Sequence, residues 1–172
     1  MCIRDSIITL GKPLGNGHPV AAVVCTKQVA SKFANGMEFF NTFGGNPVSC
    51  AIASEVLHLV EEEKLQSNAL KVGAFLKAEL NKLSASFPIM GSIRGQGLFL
   101  GIELVTASKQ PLETQANYLV NRMKQHGILM STDGPDHNVI KIKPPLVFSI
   151  EDANFLLQTL GRILKEDVMK MI

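Results

Sequence analysis

Lys12 is the side chain in this sequence best placed to do chemistry. It lies in Gly11-Lys12-Pro13-Leu14-Gly15-Asn16-Gly17-His18-Pro19, directly after the apolar run Ile7-Ile8-Thr9-Leu10. A β-branched run ending in Gly and Pro reads as a buried strand that enters a tight turn, which holds the lysine at a strand end, where ligands commonly sit. A lysine amine, with an ordinary pKa near ~10.4, becomes a nucleophile once desolvation or neighbouring cations favour its neutral form. The reaction that suits it is imine formation with an aldehyde. A solvated charge whose stem covers apolar surface explains a lone lysine equally well, so the neighbouring motifs have to decide.

Two further stretches carry candidate ligand groups. In Asn41-Thr42-Phe43-Gly44-Gly45-Asn46-Pro47, a hydroxyl and backbone N–H groups beside a glycine pair suit a phosphate, because glycine lets the main chain approach an anion closely. A plain turn and helix cap is the alternative. In Ile93-Arg94-Gly95-Gln96-Gly97-Leu98-Phe99-Leu100-Gly101, a guanidinium between strand residues and glycines can grip a carboxylate or phosphate bidentately. A surface arginine in a hairpin would look the same.

Taken together and in this order, the three stretches resemble three consecutive signatures of class III pyridoxal-phosphate aminotransferases, and the resemblance runs over nearly the whole chain from Ile7 on. It implies an α/β fold, the C-terminal part of a fold-type I transferase dependent on pyridoxal 5′-phosphate. The end of the large domain would occupy 7–86 and a small α+β domain 87–172. By the same resemblance Lys12 is the Schiff-base lysine, Thr42 a ligand of the cofactor phosphate supplied across a dimer interface, and Arg94 the holder of a substrate anion. A homodimer or dimer of dimers acting on a small amine or amino acid follows. Residues 1–6 do not match the family's usual entry to the lysine strand and read as a foreign leader. A long upstream portion would then carry the glycine-rich phosphate cup, the aromatic stacked on the cofactor ring and the aspartate paired with its nitrogen, and these residues alone would be inactive.

Ser131-Thr132-Asp133-Gly134-Pro135 followed by Asn138-Val139-Ile140-Lys141-Ile142-Lys143-Pro144-Pro145 is similar to the phospho-lyase branch of that family, which acts on ethanolamine phosphate and 5-phosphohydroxy-lysine. Such an enzyme turns an amino-phosphate ester into aldehyde, ammonia and phosphate. An ordinary transaminase passing an amino group to a 2-oxo acid is the alternative within the family. A non-catalytic interaction domain that retains the fold is the alternative outside it.

Composition narrows the remaining classes. With 46% hydrophobic and 19% charged residues, the 172-residue chain is a globular protein able to bury a core. A net charge of +2 from 17 basic and 15 acidic residues makes no single-sign field for nucleic acid or a membrane. No apolar run reaches the ~20 residues of a membrane span, so a cytoplasmic address is expected. Cys2, Cys25 and Cys50 form no C-x-x-C pair and read as free thiols, the latter two packed as small hydrophobes. The four histidines are too scattered for a metal site.

The elements that must position these groups follow from pattern. Val20–Cys25 reads as a fully buried strand, then Thr26 caps a short helix stopped by Asn35-Gly36. Asn46 caps a long helix with Pro47 in its first turn, and Val48, Ile52, Val56, Leu59 and Val60 at helical spacing mark it as a core helix. A second helix over 67–84 carries Val72, Leu76, Leu80 and Leu83. The pattern changes to short strands near Phe87-Pro88. Leu98, Leu100, Ile102 and Leu104 alternate as the inner face of a strand with Arg94 at its entrance. A helix over 114–126, a strand at 128–130, a turn at 131–135, a strand through Ile140 and Ile142, and a last helix capped by Ser149 with Asp152 complete the expectation.

Overall fold

The computed structural model describes residues 6–170; most of the expected leader, residues 1–5, lies outside them. The chain forms two compact units that divide between Lys64 and Leu65. The division falls before the second long helix rather than near Phe87-Pro88, because that helix packs on the strands that follow it.

In the first unit, β1 (Ile7–Leu10) and β2 (Ala22–Cys25) pair antiparallel, Ile7 opposite Cys25 and Leu10 opposite Ala22. Both strands were expected to be buried, and neither is: Ile7 is 54% and Val23 67% exposed. A two-stranded ribbon buries a face only where another element covers it, and among the described residues none does. Cys25 and Cys50 are exposed as well, against the expectation that they pack as small hydrophobes. Helix α1 (Lys27–Phe33) starts where Thr26 Oγ1 accepts from Val29 N at 3.4 Å. Helix α2 (Pro47–Glu62) starts at Asn46, whose Oδ1 accepts from Ser49 N at 2.9 Å. None of the apolar residues of α2 is buried, so the expected core helix keeps its stripe but has no core of its own.

The second unit has the core. Its sheet runs in the order β3 (Met90–Gln96), β4 (Phe99–Leu104), β6 (Val139–Ile142), β5 (Ser131–Asp133), all antiparallel. The strand expected at 128–130 lies instead at 131–133, on residues whose composition reads as a turn; pairing with β6 outweighs their weak strand propensity. Helices α3 (Leu65–Ser84) and α4 (Glu113–Gln125) pack on one face, and α5 (Ile150–Ile163) packs against both helices. Leu100, Ile102 and Leu104 of β4 and Ile140 and Ile142 of β6 meet Val72, Leu76, Leu80, Leu119, Met123 and Leu160 there, each at most 2% exposed.

Two local devices set this packing. Gly97 and Leu98 form the two-residue turn between β3 and β4, with Gly97 at φ 56° in the position that favours glycine. Helix α3 then approaches so closely that a Cβ on Gly73 would lie 2.1 Å from the Gly97 carbonyl oxygen. The last helix opens on the expected reciprocal cap, Asp152 N donating to Ser149 Oγ at 3.1 Å and Ser149 N to Asp152 Oδ2 at 2.9 Å. The bonds that Oδ2 of Asp152 accepts from Ser149, from its N and from its Oγ at 2.7 Å, hold that carboxyl below the usual carboxylate range. Among the described residues no helix is long and apolar enough to cross a membrane.

Candidate active site

Lys12 opens a 3₁₀ turn, Lys12–Gly15, that leaves the end of β1 through Gly11. Pro13 presets the turn, and Leu14 N and Asn16 N close it onto the carbonyls of Gly11 and Pro13 at 3.2 and 3.1 Å. Leu14 and Gly15 are buried beneath it, which leaves Lys12 exposed above. The lysine backbone has φ 45°, the left-handed region, which costs a non-glycine residue about 1–3 kcal/mol. A strained lysine at a strand end is the kind of outlier that points to function, because anchored surroundings are needed to hold it there.

Those surroundings are the N-terminal turn of α2. His18 Nε2 is 2.8 Å from Ser49 Oγ, and the same hydroxyl accepts from Asn46 Nδ2 at 3.0 Å. Asn46 Nδ2 also donates to the Phe43 carbonyl at 2.8 Å, so the lysine turn and the loop that carries Thr42 form one hydrogen-bonded body. Within that loop Asn41 Oδ1 accepts from Phe43 N and Gly44 N at 3.1 and 3.0 Å. Thr42 is exposed at its crest. Sequence reasoning singled out Lys12 and Thr42 and missed the clasp between their loops. The signal was present in His18, a histidine in a glycine-rich turn, and in Ser49, three residues after a helix cap, but nothing in the sequence pairs them.

Arg94 belongs to the second unit. It lies inside β3, opposite Gly101, and not at a strand entrance as expected, because β3 runs to Gln96 before the turn. Its Nη1 donates to Ser92 Oγ at 2.6 Å, Ser92 Oγ donates to Glu103 Oε2 at 2.9 Å, and Arg94 and Glu103 are 3.5 Å apart as an ion pair. The guanidinium is therefore held from one side only, and it stays half exposed. On the same sheet face Lys141 Nζ pairs with Asp133 Oδ2 at 2.9 Å. The Lys141 bond, with a second from Gly134 N, holds the Asp133 carboxyl below its usual range.

A family model for class-III aminotransferases matches residues 3–164. The chain belongs to the class-III aminotransferases. This supports the α/β reading and the family resemblance carried by the three motifs. The chain is 53% identical over 160 residues to a Drosophila melanogaster protein named alanine–glyoxylate aminotransferase 2-like, covering 90% of this chain and 32% of that one. It is 40% identical over 156 residues to ethanolamine-phosphate phospho-lyase homolog 1 of Caenorhabditis elegans, covering 89% and 33%. Among solved structures it matches a phospholyase from Arthrobacter in complex with phosphoethanolamine, with a TM-score of 0.89 and 40% identity over 92% of this chain and 38% of that one. The class-III chain thus spans about a third of the length of the curated relatives it matches. Matched relatives also include proteins of Arabidopsis thaliana and Pongo abelii named as mitochondrial, so the cytoplasmic expectation is not carried forward.

Proposed function

We propose that this class-III chain serves a pyridoxal-phosphate enzyme of the phospho-lyase branch, acting on a primary amine that bears phosphate on the adjacent carbon. The observation that carries the reading is Lys12 itself, an exposed amine on a strained backbone, braced through His18 and Ser49 to the loop that bears Thr42. This donor set fits an aldehyde that bears a phosphate. Lys12 would hold the aldehyde, and Thr42, in the glycine-bearing loop that precedes α2, would offer a hydroxyl to its phosphate. When bound, the cofactor supplies an aldehyde carbon and an electron sink.

The chain's own residues then have distinct tasks. Lys12 Nζ, once displaced by the substrate amine, removes a proton from the carbon that carries nitrogen. Arg94 holds the substrate's anionic group. Thr42 serves the cofactor of a neighbouring copy, as the family resemblance implies. Where the adjacent carbon bears phosphate, loss of that phosphate with its bridging oxygen follows proton removal, and one water then hydrolyses the carbon–nitrogen bond, so that substrate and water end as aldehyde, ammonia and phosphate.

Transamination is the second reading, favoured by the 53% identity to the Drosophila aminotransferase-like protein. The protein expressed from its complete coding sequence should release phosphate and ammonia from phosphoethanolamine without a 2-oxo acid. Turnover only with an amino acceptor would establish the transaminase. Borohydride reduction followed by peptide mapping should place the cofactor label on Lys12, and a label elsewhere would refute its assignment.

A further inference from the structure

Between the end of α3 and α5 the second unit carries a groove of about 690 Å³, lined wholly by residues of that unit. Small-molecule sites commonly enclose about 300–1,000 Å³. Leu83, Phe87, Phe155 and Leu157 make its apolar part. Phe155 stands outside the buried stripe of α5, which is Ala153, Leu156, Leu160 and Ile163, and is 51% exposed. Gly161 opens the floor, where a Cβ would meet only Leu83 Cδ1, at an ordinary 3.6 Å. Glycine is less favourable than alanine in a helix, and here no close approach demands it, so what it supplies is space.

The groove is charged at one end. Arg162 and Lys165 line it where α5 finishes, and both are exposed. Arg162 Nη2 donates to Thr159 Oγ1 at 3.3 Å, which lays the guanidinium back along the helix. Among the described residues neither cation pairs with a carboxylate. Glu166, which follows Lys165, is taken by Arg122 at 2.6 Å and by the Tyr118 hydroxyl. The helix dipole favours a cation at this end, but it gives no reason for an apolar trough beside two of them. From Phe155 to Arg162 the helix advances about 10 Å, at about 1.5 Å per residue. With C–C bonds of about 1.5 Å laid in zigzag, a chain of about ten carbons covers that distance.

We propose that this groove binds a medium-chain fatty carboxylate as the free anion, its chain along Phe155 and Leu157 and its carboxylate between Arg162 and Lys165. The site adds a binding function that does not rest on the lysine chemistry. A guanidinium takes a carboxylate bidentately, and each methylene that leaves water adds to the affinity. A neutral chain leaves both cations without a partner, and a short anion leaves the apolar floor wet. An acidic peptide fits less well, because its polar backbone would run along the whole apolar trough.

The test is calorimetric titration of decanoate, butanoate and decanol into the protein expressed from its complete coding sequence, with decanoate kept below its micelle concentration. The parent should bind decanoate at least about tenfold more tightly than butanoate, since most of the apolar chain is then missing. Arg162→Gln combined with Lys165→Gln should weaken decanoate by about tenfold and leave decanol unchanged, because only charge-assisted bonds are lost. Gly161→Met should weaken decanoate and decanol alike by about tenfold or more, because its side chain fills the trough. Urea titration of each variant reports its fold; the charge pair is exposed, so that variant decides the matter even where Gly161→Met does not fold.

Failure of the parent to bind decanoate overturns the site, including the case in which another part of the chain covers the groove. So does equal decanoate affinity of the parent and the charge variant, or of the parent and a folded Gly161→Met. Sedimentation with phosphatidylglycerol vesicles without affinity for dissolved decanoate would assign the face to a membrane instead. Self-association abolished by Phe155→Ser, again without decanoate binding, would assign it to a second copy.

Discussion

His18 Nε2 and Ser49 Oγ stand 2.8 Å apart and tie the lysine turn to the first turn of α2. The contact is partly buried, and its hydroxyl is shared with the cap residue Asn46, so it joins two loops that the chain separates by some thirty residues. Removing it should cost about 1 kcal/mol, the net value of one such hydrogen bond. In Ser49→Ala, the amides of Leu14 and Asn16 should exchange with solvent about fivefold faster, and bound cofactor should be lost faster on dialysis. Exchange rates identical to the parent would show that the turn is held by other means.

The proposed role of Thr42 toward the cofactor of a neighbouring copy predicts an asymmetric complementation. In a heterodimer of Lys12→Ala and Thr42→Ala chains, one site loses both groups and the other regains both. On that proposal such heterodimers should recover about half of the parent's activity per dimer, because one of the two sites then holds both groups. Well-folded heterodimers no more active than the Thr42→Ala homodimer would place Thr42 outside its neighbour's site.

Gly73 touches the hairpin turn with no room for a side chain, its Cβ position lying 2.1 Å from the Gly97 oxygen. Since a helix interior otherwise favours alanine over glycine, helix propensity alone predicts that Gly73→Ala stabilises. The close approach predicts the opposite, a loss of about 1–3 kcal/mol as α3 is pushed off the sheet. Urea titration of the variant decides between them, and a midpoint at or above the parent's would show that the backbone relaxes freely.

Glu166 gives the second unit a defined acid response. Arg122 Nη2 pairs with its Oε1 at 2.6 Å and the Tyr118 hydroxyl donates to its Oε2 at 2.5 Å. Bonds from Arg122 first, and then Tyr118, draw the Glu166 carboxyl from its ordinary 4.5 to about 2. A depressed carboxylate contributes stability that is complete above its unfolded pKa and fades as pH falls through the folded one. The contribution is therefore present at pH 5 and above and disappears between about pH 4.5 and 2. Arg122→Gln should reduce the loss of stability over that window, measured as the difference in urea midpoint. A variant with the parent's full acid slope would assign that slope to other carboxylates, among them Asp133 and Asp152, whose pKa values are also lowered.

The secondary-structure elements with strong local signals are legible in the sequence. Thr26, Asn46 and Ser149 cap helices as their types and spacing require, and Leu100, Ile102 and Leu104 line the inner face of β4. The errors share a cause. The apolar runs of β1, β2 and α2 predicted burial, yet a run of apolar residues reports only what a segment is suited to pack against, not whether a covering element is present. Residues 131–133 read as a turn, yet pairing with β6 makes them a strand.

The order Lys12, Thr42, Arg94, and with it the family, was determined by the sequence alone, because glycine-rich turns, caps and an arginine beside paired glycines are local chemistry written in consecutive residues. Only tertiary structure decided that His18 braces the lysine turn and that Arg94 lies within a strand. Those relations depend on strand register and long-range hydrogen bonds, which place residues side by side irrespective of their separation along the chain.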